Sequence, residues 1–375
     1  MQIKKVIVCP DSFKGSLTAE EASEAICNAF HSLFSDIEIV RLPMGDGGEG
    51  TLQVIAPYLN GRMQPCTTFD PLLRPVEADI LFFNNGKSAY IESASCCGLT
   101  LINSNERDPL RLTTEGLGVL VNHAIAEGCE EVFIGLGGSA TIDGGTGMLE
   151  ALGWRFLDKS GTPLKGIGAN LEKIHKIENP SGSFVDDIKF HAVCDVQNPL
   201  YGPSGAVCVF GPQKGADRQC MDRLEKGMLN FSRVTGSHLG NDLSCSPGAG
   251  AAGGLGFAIL SFLKGDVIQG ADTVLDLYNF DKEMKDADLV ITGEGRIDSQ
   301  SLGGKVSGAI LKRCFPSLPV IAVAGEVRDR EKLIGAGFRG VYSVEISTGD
   351  FNSRLLPSIA FQNLYETIRH IFKTI

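Results

Sequence analysis

Six glycine-rich loops hold most of the charged residues that could take part in chemistry. Each loop follows a predicted strand or begins a predicted helix, and most combine glycine with an acid or a base. Glycine lets backbone N–H groups approach phosphate oxygens closely, and helix N-termini favour anions. A single loop of this kind is ordinarily a tight turn, but six in one chain favour a phosphate-type site. The loops span residues 11–15, 45–50, 137–145, 211–215, 248–254 and 293–305.

Two common nucleotide fingerprints are incomplete in this chain. The Walker A pattern GxxxxGK[ST] is absent: residues 86–88 end like one, but Leu81 stands where its first glycine belongs. Residues 248–253 match GxGxxG, but a polar segment rather than a strand precedes them. The dinucleotide interpretation of that loop therefore lacks the strand that it requires.

A third fingerprint keeps a dehydrogenase hypothesis open. Residues 135–140 follow a predicted strand with glycine spacing, and Asp158 comes about 20 residues later, the usual interval of a ribose-binding acid. Against this, Asp143 falls where the first turn of the helix should receive a pyrophosphate. A carboxylate in that position repels a phosphate unless a metal ion lies between them.

Charged side chains in these loops suggest a division of labour. Phosphoryl transfer needs cations on the transferring group, carboxylates to hold Mg²⁺ and a group to orient the attacking hydroxyl. The candidate cations are Lys14, Lys214, Arg296 and Lys305, and the candidate carboxylates are Asp46, Asp143, Asp195, Glu294 and Asp298. Asp195 ends an apolar predicted strand, which is a favourable place for a catalytic acid, although it could equally cap a turn.

The order of predicted strands and helices differs between the two ends of the chain and its middle. Both ends alternate strands and helices, including a capping box at Thr18–Glu21 before the first helix. The middle begins with strand-like runs at 62–69, 75–83 and 87–93, and Asn84-Asn85-Gly86 predicts a hairpin. Residues 190–195 and 206–210 are predicted as further strands.

We therefore predict an α/β fold with two α/β domains. Residues 1–65 plus 280–375 form a discontinuous Rossmann-like domain with a parallel sheet. Residues 66–279 form an inserted α/β domain with a mixed sheet.

Composition excludes several classes of protein. Hydrophobic residues make up 43% of the 375 positions and charged residues 21%, which indicates a globular chain. The formal charge of −11 disfavours a bulk electrostatic affinity for nucleic acid or anionic membranes. No apolar run approaches the roughly 18 residues of a membrane span. Eleven cysteines without a CxxC pair, and no signal-peptide core, predict a cytoplasmic location.

Eight motifs in order resemble those of the bacterial type I glycerate kinases. The resemblance covers nearly the whole chain. The motifs are CPDSFKGSL (9–17), GDGGEGT (45–51), RDPLRLTTEGLG (107–118), GLGGSATIDGGTGM (135–148), CDVQNPLYG (194–202), FGPQKGA (210–216), GAGAAGGLG (248–256) and TGEGRIDSQSLGGK (292–305). The resemblance implies phosphorylation of D-glycerate, usually at the 2-hydroxyl, with ATP and Mg²⁺. It also implies two α/β domains with the active site in the cleft between them. Members usually carry Asn where this chain has Ile142.

The leading hypothesis is therefore a glycerate kinase that makes 2-phosphoglycerate. Asp195 is the first candidate to accept the hydroxyl proton and Asp46 the second, with Lys14 and Arg296 also catalytic. Substrate contacts are expected from Asp11, Ser12, Lys14, Arg296 and Lys305. ATP contacts are expected from Gly137, Gly138, Ser139, Gly144, Gly145, Lys214, Gly250, Gly253 and Gly254. The metal ligands are expected to be Asp143 and Asp298.

Two alternatives remain at this stage. One is an NAD-dependent hydroxy-acid dehydrogenase, and the other is a small-anion binding protein without catalysis. The sequence leaves the oligomeric state open, a homo-oligomer included.

Overall fold

Alternating strands and helices build two units of the chain. The computed structural model describes residues 3–182, 186–344 and 355–373. One unit, here called the terminal unit, comprises Met1–Asp46, Gln53–Tyr58 and Gln269–Ile375. The other, the central unit, comprises Gly47–Leu52 and Leu59–Ile268.

The described residues contain fourteen strands. They are β1 Lys5–Val8, β2 Glu38–Arg41, β3 Arg62–Phe69, β4 Pro75–Phe83, β5 Ser88–Glu92, β6 Glu131–Gly135, β7 Arg155–Leu157, β8 Pro163–Leu164, β9 Lys176–Glu178, β10 Lys189–Val193, β11 Asp266–Ile268, β12 Leu289–Ile297, β13 Val320–Val327 and β14 Gly340–Ser343.

The same residues contain thirteen α-helices, besides short 3₁₀ segments. They are α1 Ala19–Leu33, α2 Thr51–Ile55, α3 Ala94–Cys97, α4 Glu115–Ala126, α5 Thr146–Ala151, α6 Ala206–Phe210, α7 Arg218–Leu239, α8 Leu255–Phe262, α9 Gly270–Leu277, α10 Phe280–Glu283, α11 Val306–Arg313, α12 Arg330–Ala336 and α13 Pro357–Phe372. None of these helices has the length and apolar character that a membrane span requires.

The terminal unit is built on a five-stranded sheet. Its strand order is β14-β13-β12-β1-β2, and every pair is parallel. Because the strands are parallel, their carboxyl ends and the loops that follow them share one edge. Helix α1 begins at the predicted capping box, where Thr18 Oγ1 accepts from the N–H of Glu21 at 3.1 Å. It packs beside α13, with the rings of Phe30 and Phe372 4.8 Å apart.

The central unit contains a six-stranded mixed sheet and a small three-stranded sheet. The larger sheet has the order β11-β10-β6-β5-β4-β3, parallel from β11 to β5 and antiparallel beyond. The predicted hairpin is confirmed: Asn84, Asn85 and Gly86 all have positive φ between β4 and β5. The small antiparallel sheet has the order β8-β7-β9. The loops after β5, β6 and β10 therefore lie at one edge of the larger sheet.

Two local predictions are wrong. Residues 206–210, predicted as a strand, form helix α6. A five-residue apolar run cannot by its periodicity be told from a helix, and here Val209 is exposed while Val207 is buried. The predicted loop after residue 292 instead continues strand β12 to Ile297, pairing with β13. The sequence also predicts a strand over residues 340–346; residues 340–343 form β14, and residues 345 and 346 lie outside the described residues.

Candidate active site

The carboxyl edge of the terminal sheet gathers most of the residues predicted to bind the acceptor substrate. Asp11 follows β1, and its N–H donates to the carbonyl of Gly293 on β12 at 2.8 Å. Asp46 follows β2, the neighbour of β1 on its other side. The backbone of Lys14 lies so close to Gly295 that a Cβ there would be 3.0 Å from the Lys14 nitrogen. Because residue 295 is glycine, the loop at residues 11–15 can pack closely against β12.

Asp11 has an electrostatic environment that favours its protonated form. Burial raises the pKa of this carboxyl to about 7, and the carboxylates of Asp46 and Glu294 add to the rise. The N–H of Ser12 donates to Asp11 Oδ1 at 2.6 Å, and this hydrogen bond lowers the pKa. A carboxyl group with such a pKa can accept a proton near neutral pH.

Two further acids stand on or after β12, each beside a cation. Asp298 is buried and caps the 3₁₀ segment Ser299–Gly303, where its Oδ1 accepts from the N–H of Gln300 at 2.9 Å. Its Oδ2 lies 3.5 Å from Arg296 Nε. Glu294 Oε2 lies 3.9 Å from the ammonium of Lys305, the residue before α11. Arg296, Lys305 and Lys14 are all exposed, so this edge presents cations to solvent above buried carboxylates.

The loop between β6 and α5 is the centre of the second group of predicted residues. Asp143 lies fully buried within it. Its Oδ2 accepts from the N–H and the hydroxyl of Thr114, both at 2.8 Å, and from the N–H of Gly147 at 3.2 Å. Its Oδ1 accepts from the N–H of Gly145 at 3.0 Å. Burial raises the pKa of Asp143, and these four bonds oppose the rise. Through these bonds Asp143 connects the loop to Thr114, the residue before α4.

Lys214 supports the same loop from within. Its side chain is buried, and Nζ donates to Ser139 Oγ and to the carbonyl oxygen of Thr141, each at 2.9 Å. Burial lowers the pKa of Lys214 to about 7, while the carboxylate of Asp143 acts in the opposite direction. Lys214 therefore joins two residues of the loop, Ser139 and Thr141, from its buried side.

The predicted phosphate-binding glycines fall into two sets. Gly144, Gly145, Gly250 and Gly254 are buried, and their N–H groups donate to acceptors within the protein. Gly253 is also buried, and a Cβ there would lie 2.1 Å from the Thr141 carbonyl oxygen. These five glycines allow three loops to pack backbone against backbone. Gly137 and Gly138, in contrast, retain exposed surface at the start of the loop.

Asp195 and one residue that the sequence analysis missed complete the edge of the larger sheet. Asp195 is exposed just after β10, while the N–H of Cys194 donates to Ile268 on β11 at 3.0 Å. Glu92, buried at the end of β5, accepts from the N–H of Leu52 at 2.6 Å and of Gly50 at 3.2 Å. It therefore caps the start of α2. The only sequence signal was an acid at a strand end.

The residues of each unit thus form their own group. The terminal unit brings together Asp11, Ser12, Lys14, Asp46, Arg296, Asp298 and Lys305, and the central unit brings together Gly137–Gly145, Lys214 and Gly250–Gly254. Among the described residues, no three His, Cys, Asp or Glu side chains are grouped as a metal cage.

Comparison with known proteins identifies what this chain is similar to. Residues 6–375 match the model of the glycerate kinase family. A glycerate kinase of Bacillus subtilis is 43% identical over 343 residues, covering 91% of this chain and 90% of the relative. A glycerate 2-kinase of Escherichia coli is 36% identical over 376 residues, covering 99% and 98%. A crystal structure of a candidate glycerate kinase 2 from Salmonella typhimurium superposes with a TM-score of 0.88 at 36% identity, covering 100% of this chain and 98% of that one.

Proposed function

Because this chain belongs to the glycerate kinase family, we propose that it transfers the γ-phosphoryl group of ATP to the 2-hydroxyl of D-glycerate. The product is 2-phosphoglycerate. The observation that carries the proposal is the match to glycerate kinases along nearly the whole chain, a glycerate 2-kinase among them. The arrangement of acids and cations described above supports it, since phosphoryl transfer depends on positioning and on charge stabilisation.

The terminal unit supplies the groups for D-glycerate. The carboxylate of D-glycerate needs cationic partners. The exposed cations at the carboxyl edge of the terminal sheet are Arg296, Lys305 and Lys14. Arg296 suits a planar carboxylate or phosphoryl group because its guanidinium can donate two parallel hydrogen bonds.

Asp11 is our choice for the group that receives the proton of the attacking hydroxyl. A general base works best when its pKa is near the working pH, and burial raises the pKa of Asp11 to about 7. The N–H of Ser12 donates to Asp11 Oδ1 at 2.6 Å and so holds the carboxyl group in place. Asp195 and Asp46, the two acids first predicted for this role, are exposed and become the alternatives.

The central unit supplies the groups for ATP. We assign the phosphate contacts to Gly137, Gly138 and Ser139, because the first two retain exposed surface at the end of β6. Lys214 and Asp143 hold this loop in shape from the buried side through the bonds given above. The buried glycines at 144, 145, 250, 253 and 254 then serve loop packing.

Asp298 is the residue that fits a role in holding Mg²⁺. Mg²⁺ in kinases is bound by one or two carboxylates together with substrate phosphates. Oδ1 of Asp298 accepts from the N–H of Gln300 at 2.9 Å, and Oδ2 lies 3.5 Å from Arg296 Nε. When bound with ATP, the ion neutralises charge on the phosphates. The four hydrogen bonds to Asp143 favour a structural role for that carboxylate instead.

The dehydrogenase hypothesis loses its structural basis. Its ribose-binding acid would be Asp158, but Asp158 Oδ1 accepts from the N–H groups of Ser160 and Thr162 at 2.8 and 2.9 Å in a surface turn. The relatives of Bacillus subtilis and Escherichia coli, which cover most of this chain, are named as a glycerate kinase and a glycerate 2-kinase.

A parallel assay separates the three functions. The protein with ATP, Mg²⁺ and D-glycerate should release ADP, whereas the protein with NAD and D-glycerate should give no reduced cofactor. Reduced cofactor without ADP would support a dehydrogenase, and binding without either product would support a binding protein.

A further inference from the structure

Three backbone N–H groups at the start of the loop between β6 and α5 lack an acceptor in the part of the chain that the structure describes. They belong to Gly137, Gly138 and Ser139. The residue before them is engaged, since the N–H of Leu136 donates to the carbonyl of Val193 at 3.0 Å. Gly137 is half-buried and Gly138 is exposed. Successive backbone N–H groups without an acceptor provide a place where an anion such as phosphate can bind.

The carboxylate of Glu49 lies beside these N–H groups. A Cβ added to Gly138 would be 3.2 Å from Glu49 Oε2 and 3.6 Å from Glu49 Cβ. Glu49 is exposed, so its oxygens can be reached from solvent. Its side chain has no hydrogen bond or ion pair to any residue that the structure describes. An exposed carboxylate without a partner therefore stands where the loop is suited to receive an anion.

The backbone on either side of Glu49 is held against the central sheet. The N–H of Gly50 donates to Glu92, at the end of β5, at 3.2 Å. A Cβ at Gly137 would lie only 2.7 Å from the Cα of Gly48, so these two glycines pack backbone against backbone. The position of Glu49 beside the loop is thus set by contacts of its neighbours, which belong to the same unit of the chain.

The charges at this place favour a divalent cation. A phosphate oxygen held by the free N–H groups would meet the Glu49 carboxylate, and two negative charges at short range repel. A divalent cation between them removes the repulsion, because it binds both groups. Mg²⁺ is commonly held by one or two carboxylates together with substrate phosphates. Such an ion needs no cage of three protein side chains, and the described residues contain none.

Lys214 cannot take the place of that cation. Its ammonium is buried beneath the loop, where it donates to Ser139 Oγ and to the carbonyl oxygen of Thr141. Glu49 lies on the exposed side, next to Gly138. The charge that balances Glu49 and a phosphate therefore has to come with the nucleotide.

We propose that Glu49 is a ligand of the divalent cation that accompanies ATP, and that it makes the loop at Gly137 and Gly138 prefer the metal complex of ATP to free ATP. The proposal rests on the proposed function, which brings the phosphates of ATP to this loop. It does not depend on the assignment of Asp298. The carboxylate attracts the metal complex and repels the metal-free nucleotide.

Calorimetric binding of ATP to the whole protein, once with Mg²⁺ and once with EDTA, tests the proposal without turnover, since D-glycerate is omitted. The wild type should bind Mg-ATP at least about tenfold more tightly than metal-free ATP. Glu49→Gln keeps the size of the side chain and removes its charge, and should reduce this preference at least about threefold. Its affinity for metal-free ATP should rise. Glu24→Gln, at an exposed position of α1, is the matched control and should keep both wild-type affinities.

Each result has a distinct meaning. A smaller reduction of the preference in Glu49→Gln, or equal affinity of the wild type for the two forms of ATP, would overturn the role of Glu49. A purely structural role predicts that both affinities fall by the same factor, which leaves the preference unchanged. A preference that depends on Glu49, without ADP release when D-glycerate is added, would keep the role of Glu49 and reject the glycerate kinase assignment. Failure of the wild type to bind ATP in either form would reject both.

Discussion

The ammonium group of Lys214 lies 2.9 Å from the hydroxyl oxygen of Ser139, inside the loop that follows β6. A lysine is seldom buried, because removal of its charge from water is costly. Here the cost is visible as a pKa lowered to about 7. The shape of the proposed ATP loop therefore depends on a side chain beneath it, in addition to the glycines within it.

Replacement of Lys214 should have an effect that depends on pH. Between about pH 7 and the ordinary lysine pKa of 10.5, the unfolded chain binds a proton at this side chain that the folded chain does not. The free energy of unfolding of the wild type therefore rises with pH across this window. Lys214→Met removes two hydrogen bonds, worth about 1–3 kcal/mol in all, and also removes this rise.

Thermal unfolding at pH 6.5, 8 and 9.5 measures both effects. The melting temperature of Lys214→Met should lie below that of the wild type, and the gap should widen as pH rises. Lys226→Met, at an exposed position of helix α7, is the control and should show no such widening. A gap that narrows with pH would contradict a lowered pKa at Lys214.

Asp143→Asn distinguishes a structural carboxylate from a metal ligand. Both oxygens of Asp143 accept hydrogen bonds, whereas the NH₂ group of Asn can only donate. At least one of the surrounding N–H or O–H donors would therefore lose its acceptor. We expect a loss of about 2–4 kcal/mol in the free energy of unfolding. The Mg²⁺ concentration for half-maximal activity should stay unchanged in the folded fraction. Asp158→Asn, at a hydrogen-bonded surface turn, should melt close to the wild type. Normal stability with a large rise in the Mg²⁺ requirement would restore Asp143 as a ligand.

Asp11→Asn should alter both activity and its pH dependence. If Asp11 receives the hydroxyl proton, kcat/KM of the wild type should fall as pH drops below about 7, where the carboxyl is protonated. The variant should lose at least about 10²-fold in kcat. Asp195→Asn and Asp46→Asn should lose less than about tenfold. The reverse order would return the role of base to Asp195 or Asp46.

Asp11→Asn also tests stability, and here the pH dependence is opposite to that expected for Lys214. The pKa of Asp11 is raised from 3.8 to about 7 on folding, so the folded chain binds the extra proton between these values. Stability contributed by Asp11 is therefore lost as pH rises through about 7. Asp11→Asn cannot ionise, and its melting temperature should exceed that of the wild type by a few degrees at pH 8. A lower melting temperature at pH 8 would show that the charged form is stabilised instead.

Sequence reasoning succeeded where the determining forces are local. The capping box at Thr18–Glu21 and the turn at Asn84–Gly86 depend on residues a few positions apart, and both formed as predicted. Apolar runs likewise predicted strands at 62–69, 75–83, 87–93 and 190–195, which correspond to β3, β4, β5 and β10. Residues 206–210 failed because such a short apolar run has no distinguishing period.

For the candidate site, too, features set by local sequence were predicted and features set by distant residues were not. The sequence identified the loops, because glycine and charge at strand ends are visible in it. It could not tell that Asp143 and Lys214 point inward, since their partners Thr114 and Ser139 are distant in sequence. Glu92 was missed for the same reason, as its two N–H donors lie about 40 residues earlier.

Ile142 shows how packing changes a prediction drawn from the sequence. The motif that this segment resembles usually has Asn at this position. The protein would therefore tolerate Ile142→Asn if the new amide found hydrogen-bond partners. Ile142 is fully buried in the central core. An unpaired amide there costs about 1–3 kcal/mol, in addition to the lost apolar contacts. We expect a clear drop in melting temperature, with activity of the folded fraction within about tenfold of the wild type. A loss above a hundredfold without unfolding would show that the side chain shapes the site.

Phosphorus NMR of the reaction products shows which hydroxyl of D-glycerate receives the phosphoryl group. The protein is incubated with ATP, Mg²⁺ and D-glycerate, and the new phosphate ester is identified by its coupling to neighbouring protons. A phosphate on C2 couples to one proton and a phosphate on C3 couples to two. We expect ADP with an equal amount of 2-phosphoglycerate, and neither product when D-glycerate is omitted. Exclusive formation of 3-phosphoglycerate, or no phosphate ester of glycerate at all, would contradict it.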